Sequence, residues 1–154
     1  MLNMVNTGSL LQVGELLHAP HGKTISLIPS HGVTNVIGFK GVALYGRAVS
    51  LDATNANFFS FSPNPKNALG FIHAEISSAP CASAVTLFED GMRFVGRTEP
   101  ASIITKGSYV TIENGLFKSA VAGDLAIGQA LEDGVDVEDY GVIYMVVLYS
   151  SVLV

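Results

Sequence analysis

The 154 residues contain no tryptophan, a single cysteine and few charges, with Asp, Glu, Lys and Arg making up 14% of the chain. Each scarcity excludes something. One cysteine, Cys81, forms no intramolecular disulfide framework. Set between Pro80 and Ala82, it lacks the adjacent His and electropositive setting of a catalytic thiol and reads as a small buried or half-buried residue. The eight basic residues are scattered from Lys23 to Lys118 against thirteen acids, for a net charge of −5. That leaves no basic footprint for non-specific nucleic-acid binding. The longest apolar-rich run, Val142–Val154, is broken by Ser150 and Ser151 and falls short of the roughly 20 residues that span a bilayer. Met1 to Gln12 has neither a basic start nor a long apolar centre, so no signal peptide is expected and synthesis in a cytoplasm is. No stretch of twelve or more residues carries helical periodicity. Glycine-rich phosphate loops, dinucleotide fingerprints and nucleophile elbows are also missing.

What remains is apolar and rich in turns. Hydrophobic residues make up 49% of the chain. With so few charges to cover an isolated sphere, large apolar exposure points to an oligomer or to a protein that lies on a larger assembly. Three times a Glu precedes a tight-turn dipeptide: Glu89-Asp90-Gly91, Glu113-Asn114-Gly115 and Glu132-Asp133-Gly134. Asp-Gly and Asn-Gly suit the type I′ turn of antiparallel hairpins. Ala84–Glu89 is therefore expected to pair with Met92–Gly96, and Tyr109–Glu113 with Leu116–Ala120. Further strands are expected at 23–28, 35–39, 42–49, 58–61, 69–76, 125–131 and 142–149, with turns at Pro29–Gly32, Ser62–Asn67 and Glu99–Ser102. Short strands with turn signals every 8 to 12 residues or so predict a mainly β, single small antiparallel barrel or sandwich with little helix. Residues 1–14 read as an N-terminal arm and 15–154 as the β domain. The recurring Glu-turn motif reads as shared turn chemistry, with no solenoid repeat.

Few residue groups suggest chemistry. His18 and His21, with His31 further on, have the one metal-like spacing, but a zinc site needs three or four ligands and no fourth stands nearby. Loop histidines bonded to backbone are the plainer reading. The late acids Glu132, Asp133, Asp136, Glu138 and Asp139 lack the register of a calcium loop and read as a solvated acidic loop. Phe58, Phe59, Phe61 and Phe71 read as core or subunit-interface residues. No metal or cofactor is expected, and no catalytic residue is assigned.

The segment Gly115-Leu116-Phe117-Lys118-Ser119-Ala120-Val121-Ala122-Gly123-Asp124-Leu125-Ala126-Ile127-Gly128-Gln129-Ala130-Leu131-Glu132-Asp133-Gly134, followed by a strand at Val142–Leu148, resembles tailed-bacteriophage head decoration, or capsid cement, proteins. The shared pattern is a strand, an Ala-Gly-Asp turn, an Ile-Gly-x-Ala-Leu strand, a small loop and a last strand. It covers under a third of the chain. The residues account for themselves physically as well. Gly123-Asp124 suits a tight turn with an Asx-type bond, Gly128 lets another backbone approach closely or admits a bulge, and Ala126, Ile127, Ala130 and Leu131 are expected to fill a narrow barrel.

The resemblance implies a β-tulip-like, non-enzymatic structural virion protein. It would bind the major capsid protein on the outside of an assembled capsid, often as a homotrimer, away from nucleic acid and membrane. It also implies an arm that adds a strand to the capsid protein; here Leu10, Leu11 and Val13 would be its apolar contacts. The alternatives are a receptor- or carbohydrate-binding domain of a phage fibre or spike, and a small barrel enzyme of the cupin or hydrolase kind.

Overall fold

Alternating short strands need partners on both edges, and this chain supplies them by closing sheets on themselves. In the computed structural model the described residues are 16–18, 22–30, 33, 45–76, 83–137 and 140–154. They form twelve strands: β1 (Leu16–His18), β2 (Thr24–Pro29), β3 (Ala48–Leu51), β4 (Phe58–Phe61), β5 (Gly70–Ile76), β6 (Ser83–Leu87), β7 (Arg93–Thr98), β8 (Tyr109–Glu113), β9 (Leu116–Ser119), β10 (Leu125–Ala130), β11 (Val135–Val137) and β12 (Tyr140–Leu153). One 3-10 turn, Pro65–Asn67, is capped by Asn64, whose side chain accepts from the Lys66 and Asn67 amides. The mainly β, barrel-forming class expected from the turn pattern is what the chain adopts.

Strands β2-β4-β3-β5-β6 form a closed barrel. The remaining strands form one sheet, β1-β7-β9-β8-β10-β12-β11, and an extra pairing of β7 with β12 closes β7-β9-β8-β10-β12 into a second ring. The two rings have the same topology. In each, the first and third strands pair parallel and every other pairing is antiparallel.

The register matches as well. Val49 faces Gly70 and Phe61 as Val110 faces Gly128 and Ser119. Gly70 faces Leu87 as Gly128 faces Val147. Thr24 faces Thr86 as Arg93 faces Val146, and Pro29 meets Phe59 as Thr98 meets Phe117. Walking round either ring returns to the same correspondence, so the two barrels share strand number and stagger, the quantities that set a barrel's shape.

Connecting bonds repeat too. Gly46 N donates to Ile72 O, Ile72 N to Arg47 O and Ser62 N to Ala48 O; in the second ring Gly107 N donates to Ala130 O, Ala130 N to Ser108 O and Ala120 N to Tyr109 O. The glycines Gly22 and Gly91, and Gly46 and Gly107, match in position and in positive φ. The chain is thus a tandem pair of one five-stranded unit, a repeat that the turn motifs did not reveal.

Each barrel is filled by inward-facing residues. Leu27, Val49, Phe59, Ile72 and Val85 fill the first. The corresponding positions of the second are Gly96, Val110, Phe117, Ala130 and Met145, all but Gly96 within the larger core cluster. Gly96 has yielded its side chain to Phe117: a Cβ there would lie 2.5 Å from the phenylalanine ring. Gly70 and Gly128 occupy matching positions where a Cβ would meet the carbonyl oxygens of Thr86 and Val146 respectively, which also correspond. The close approach expected at Gly128 is therefore present twice.

Several expectations are corrected. The strands flanking Asp90-Gly91 do not pair: β6 bonds to β2 and β5, whereas β7 bonds to β12, β9 and β1. The Glu89–Met92 turn, closed by Met92 N donating to Glu89 O at 3.1 Å, is the junction between barrels. Positive φ occurs at Gly91 (77°) and not at Asp90, the pattern of a type II turn, which lacks the twist that joins hairpin strands. The strand expected at 42–49 is set by the Tyr45-Gly46 turn, with Gly46 at φ 75°, so β3 begins at Ala48. Of the four residues expected to fill a narrow barrel, Ala126 is fully buried and Ile127 and Ala130 join the core cluster. A bulge between Ala126 and Gly128 shifts the alternation, and Leu131 is half-buried.

The hairpin at Asn114-Gly115 forms as expected. β8 and β9 pair, and both turn residues have positive φ, 51° and 80°, as type I′ requires.

Candidate interaction surfaces

Three groups of contacts between the barrels stand out among the described residues. At the centre Phe71, at a position on β5 facing out of the first barrel, stacks on Phe94 with ring centroids 4.2 Å apart and planes 14° from parallel. Phe88 packs beside them, edge-on to Phe117 at 6.4 Å. Next, the β8–β9 turn docks onto the first barrel: Ala48 N donates to Gly115 O and Gly115 N donates to Ser62 O, each at 2.8 Å. Last, the buried Arg97 donates through N to Gly46 O (3.1 Å) and through Nε to Tyr45 O (2.8 Å). Its guanidinium lies 4.2 Å from the centroid of the Tyr140 ring, a cation–π contact. Arg47, over Phe61 at 4.6 Å, has its pKa lowered by burial, with the charge of Glu99 opposing.

Two clefts of similar size open among the described residues. One, of about 360 Å³, lies between residues 101–105 and the loop carrying Asp133, Gly134 and Asp136. Its carboxylates are occupied: Asp133 Oδ1 accepts from Lys106 N at 2.7 Å and Asp136 Oδ1 from Ala101 N at 2.9 Å. Glu132 is buried. Asp133 and Asp136, expected to be merely solvated, thus fasten the neighbouring loop by charge-assisted bonds. The other cleft, of about 350 Å³, lies between the 3-10 turn, β8 and the start of β10. Its Lys118 and Glu113 pair at 3.0 Å in the open, where such pairs contribute little. Its Asp124 accepts from Val121 N at 3.0 Å, a bond back across the turn in place of the Asx-type bond expected there. Neither cleft is lined by a His or Cys.

Apolar side chains do reach the surface. Ile103, Tyr149, Leu153 and Val121 are 87%, 80%, 73% and 63% exposed. The Gly123-Asp124 turn is laced to the end of β12 by Gly123 N donating to Val154 O and Val154 N to Asp124 O, both 2.9 Å. Val121, Leu153 and Val154 therefore share one corner of the second barrel.

Of the earlier candidates, Leu10, Leu11 and Val13 lie outside the described residues, as do His21, His31, Cys81, Glu138, Asp139 and the strand expected at 35–39; of His18 only the backbone in β1 is described. Phe59 and Phe71 are fully buried, one inside a barrel and one between barrels. Among the described residues no group of three or more His, Cys, Asp and Glu is placed to hold a metal ion, and no helix is long and apolar enough to cross a membrane. The barrel-to-barrel junction escaped the sequence reading. Its one trace was the ordered series Gly22, Gly46, Gly70 against Gly91, Gly107, Gly128. No family model matches the chain, and no curated protein matches it in sequence.

Proposed function

We propose that this chain is a structural virion protein that docks on the outer surface of an assembled phage capsid, with the major capsid protein as partner, and stabilises the shell without catalysing a reaction. The observation carrying this reading is the apolar corner of Val121, Leu153 and Val154, built on the Gly123-Asp124 turn within the segment that resembles decoration proteins. A folded surface that displays such residues beside occupied carboxylates suits burial against a partner better than capture of a small polar substrate. A protein of this kind acts by mass action. Binding the intact lattice and not its separated subunits, it adds about 2.7 kcal/mol per site at a hundredfold excess over Kd.

The test compares heat and chelator resistance of native particles with and without the chain. Greater resistance with the wild type, lost in a Val121→Asp/Leu153→Asp double variant that keeps its circular dichroism, is the expected result. Unchanged resistance together with attachment of the isolated protein to host cells would move the assignment to receptor or carbohydrate binding.

A further inference from the structure

The duplicated barrel has two equivalent mouths, and among the described residues one is closed and its counterpart is not. In the second barrel, Phe94, Ile112 and Val147 line that end and are 0%, 3% and 5% exposed. They share a core cluster with Ala48, Phe71 and Phe88 of the first barrel. The matching residues of the first barrel are Ile25, Leu51 and Leu87. Alternation along β2 and β3 turns Ile25 and Leu51 to the same side as the core residues Leu27 and Val49. Yet Ile25 is 36% and Leu51 47% exposed, and Leu87 is half-buried. These apolar side chains belong to a barrel interior and end in solvent.

The closing face is duplicated as well. Ala48, Phe71 and Phe88 correspond to Tyr109, Gln129 and Leu148 on the second barrel. Tyr109 is 38% exposed and the other two are half-buried. The packing within one chain therefore leaves one unused copy of each half: a mouth on the first barrel and a face on the second.

We infer that a second copy of this chain seats its Tyr109–Gln129–Leu148 face on the Ile25–Leu51–Leu87 mouth, repeating between chains the packing found within one. Tyr109 brings an aromatic ring where Phe71 has passed to Gln129. The contact is heterologous, so it propagates head to tail into a closed ring where the rotation allows. It is independent of what larger assembly the protein docks on.

The experiment is sedimentation of the full chain across a concentration series, with Leu51→Asp and Tyr109→Asp alone and mixed. The wild type is expected to form oligomers that grow with concentration, and each variant to lose them. The equimolar mixture is expected to yield a one-to-one dimer and nothing larger, because each variant retains the half the other lacks. An isologous contact would not be rescued this way. A wild type that stays monomeric throughout, oligomers persisting in either variant, or a mixture with no dimer would each overturn the inference. Should Tyr109→Asp disturb β8 by circular dichroism, Gln129→Arg replaces it in the same comparison.

Discussion

The first and second barrels are built on one plan and filled differently. Val49 and Val110, Phe59 and Phe117, and Gly70 and Gly128 keep their identities at matching positions. These are the sites where two strands touch or a ring fills the centre. Elsewhere the barrels trade volume: Leu27 against Gly96, Ile72 against Ala130, Val85 against Met145. Interiors pack at crystal density, so a side chain lost in one place is recovered in another. The residues at the barrel mouths diverge as well, because their neighbours differ. Ile25 meets solvent while its counterpart Phe94 meets Phe71. A shared backbone thus constrains contacts within a barrel, and the junction between barrels selects the rest.

The sharpest way to break the comparison is Phe71→Ala. It removes the stack joining the barrels and opens a cavity at a fully buried site. The expected cost is about 3–5 kcal/mol, with the urea transition splitting or broadening relative to the wild type as the barrels uncouple. A loss under about 1 kcal/mol would mean that the stack contributes little to joining them.

Gly70→Ala and Gly128→Ala test whether the matched glycines serve the same purpose. At Gly70 the obstruction is the Thr86 backbone carbonyl. At Gly128 the nearest atom is the mobile Met145 Cε, with Val146 O at 2.8 Å behind it. Overpacking costs about 1–3 kcal/mol, so Gly70→Ala is expected near the upper value and Gly128→Ala below it in denaturant melts. The reverse order would contradict the rigid-backbone account.

Gly115→Val strains a residue at φ 80° and drives a side chain toward Ala48 O and the Phe61 ring, each 3.0 Å from where a Cβ would lie. A cost of about 1–3 kcal/mol is expected, with Asn114→Gly nearly neutral because glycine accepts the same positive φ. Equal melting of Gly115→Val and wild type would refute the turn's role in docking the barrels.

A smaller effect, of opposite sign, is expected at Ser83. Its hydroxyl is buried without a hydrogen-bond partner among the described residues, at the position where the second barrel carries Ile143. Ser83→Ala should stabilise by about 1 kcal/mol by removing an unpaired group, read as a raised urea midpoint.

The smallest effect concerns Asp52, where the second barrel has Glu113. Thr54 donates to the Asp52 carboxylate through its hydroxyl at 2.7 Å and its amide at 3.1 Å, and Ser60 donates at 2.9 Å. These bonds lower its pKa from the ordinary aspartate value. A folded pKa below the unfolded one adds stability that is present above the unfolded pKa and lost as pH falls through the folded one. Asp52→Asn should therefore lower stability slightly at neutral pH, where the ionised carboxylate contributes, and flatten the acid limb of a stability–pH curve below about pH 4, so that the two curves converge in acid. An unaltered acid limb would show that the loop bonds form equally in the unfolded chain.

By itself the sequence determined the β class, most strand positions in the second half and the Asn114-Gly115 turn. These follow from local chemistry: alternation, β-branched content and the few residues that accept positive φ. Tertiary structure alone decided that Glu89-Asp90-Gly91 separates two barrels instead of closing a hairpin, since strand partners are chosen by long-range pairing that a turn dipeptide does not encode. It alone revealed the duplication, whose imprint is register and shared backbone bonds, with side-chain identity kept at only a handful of positions. It alone placed Phe59 inside a barrel and Phe71 at the seam between two. Nothing in the residue or its neighbours distinguishes those places, because a phenylalanine is buried equally well in either.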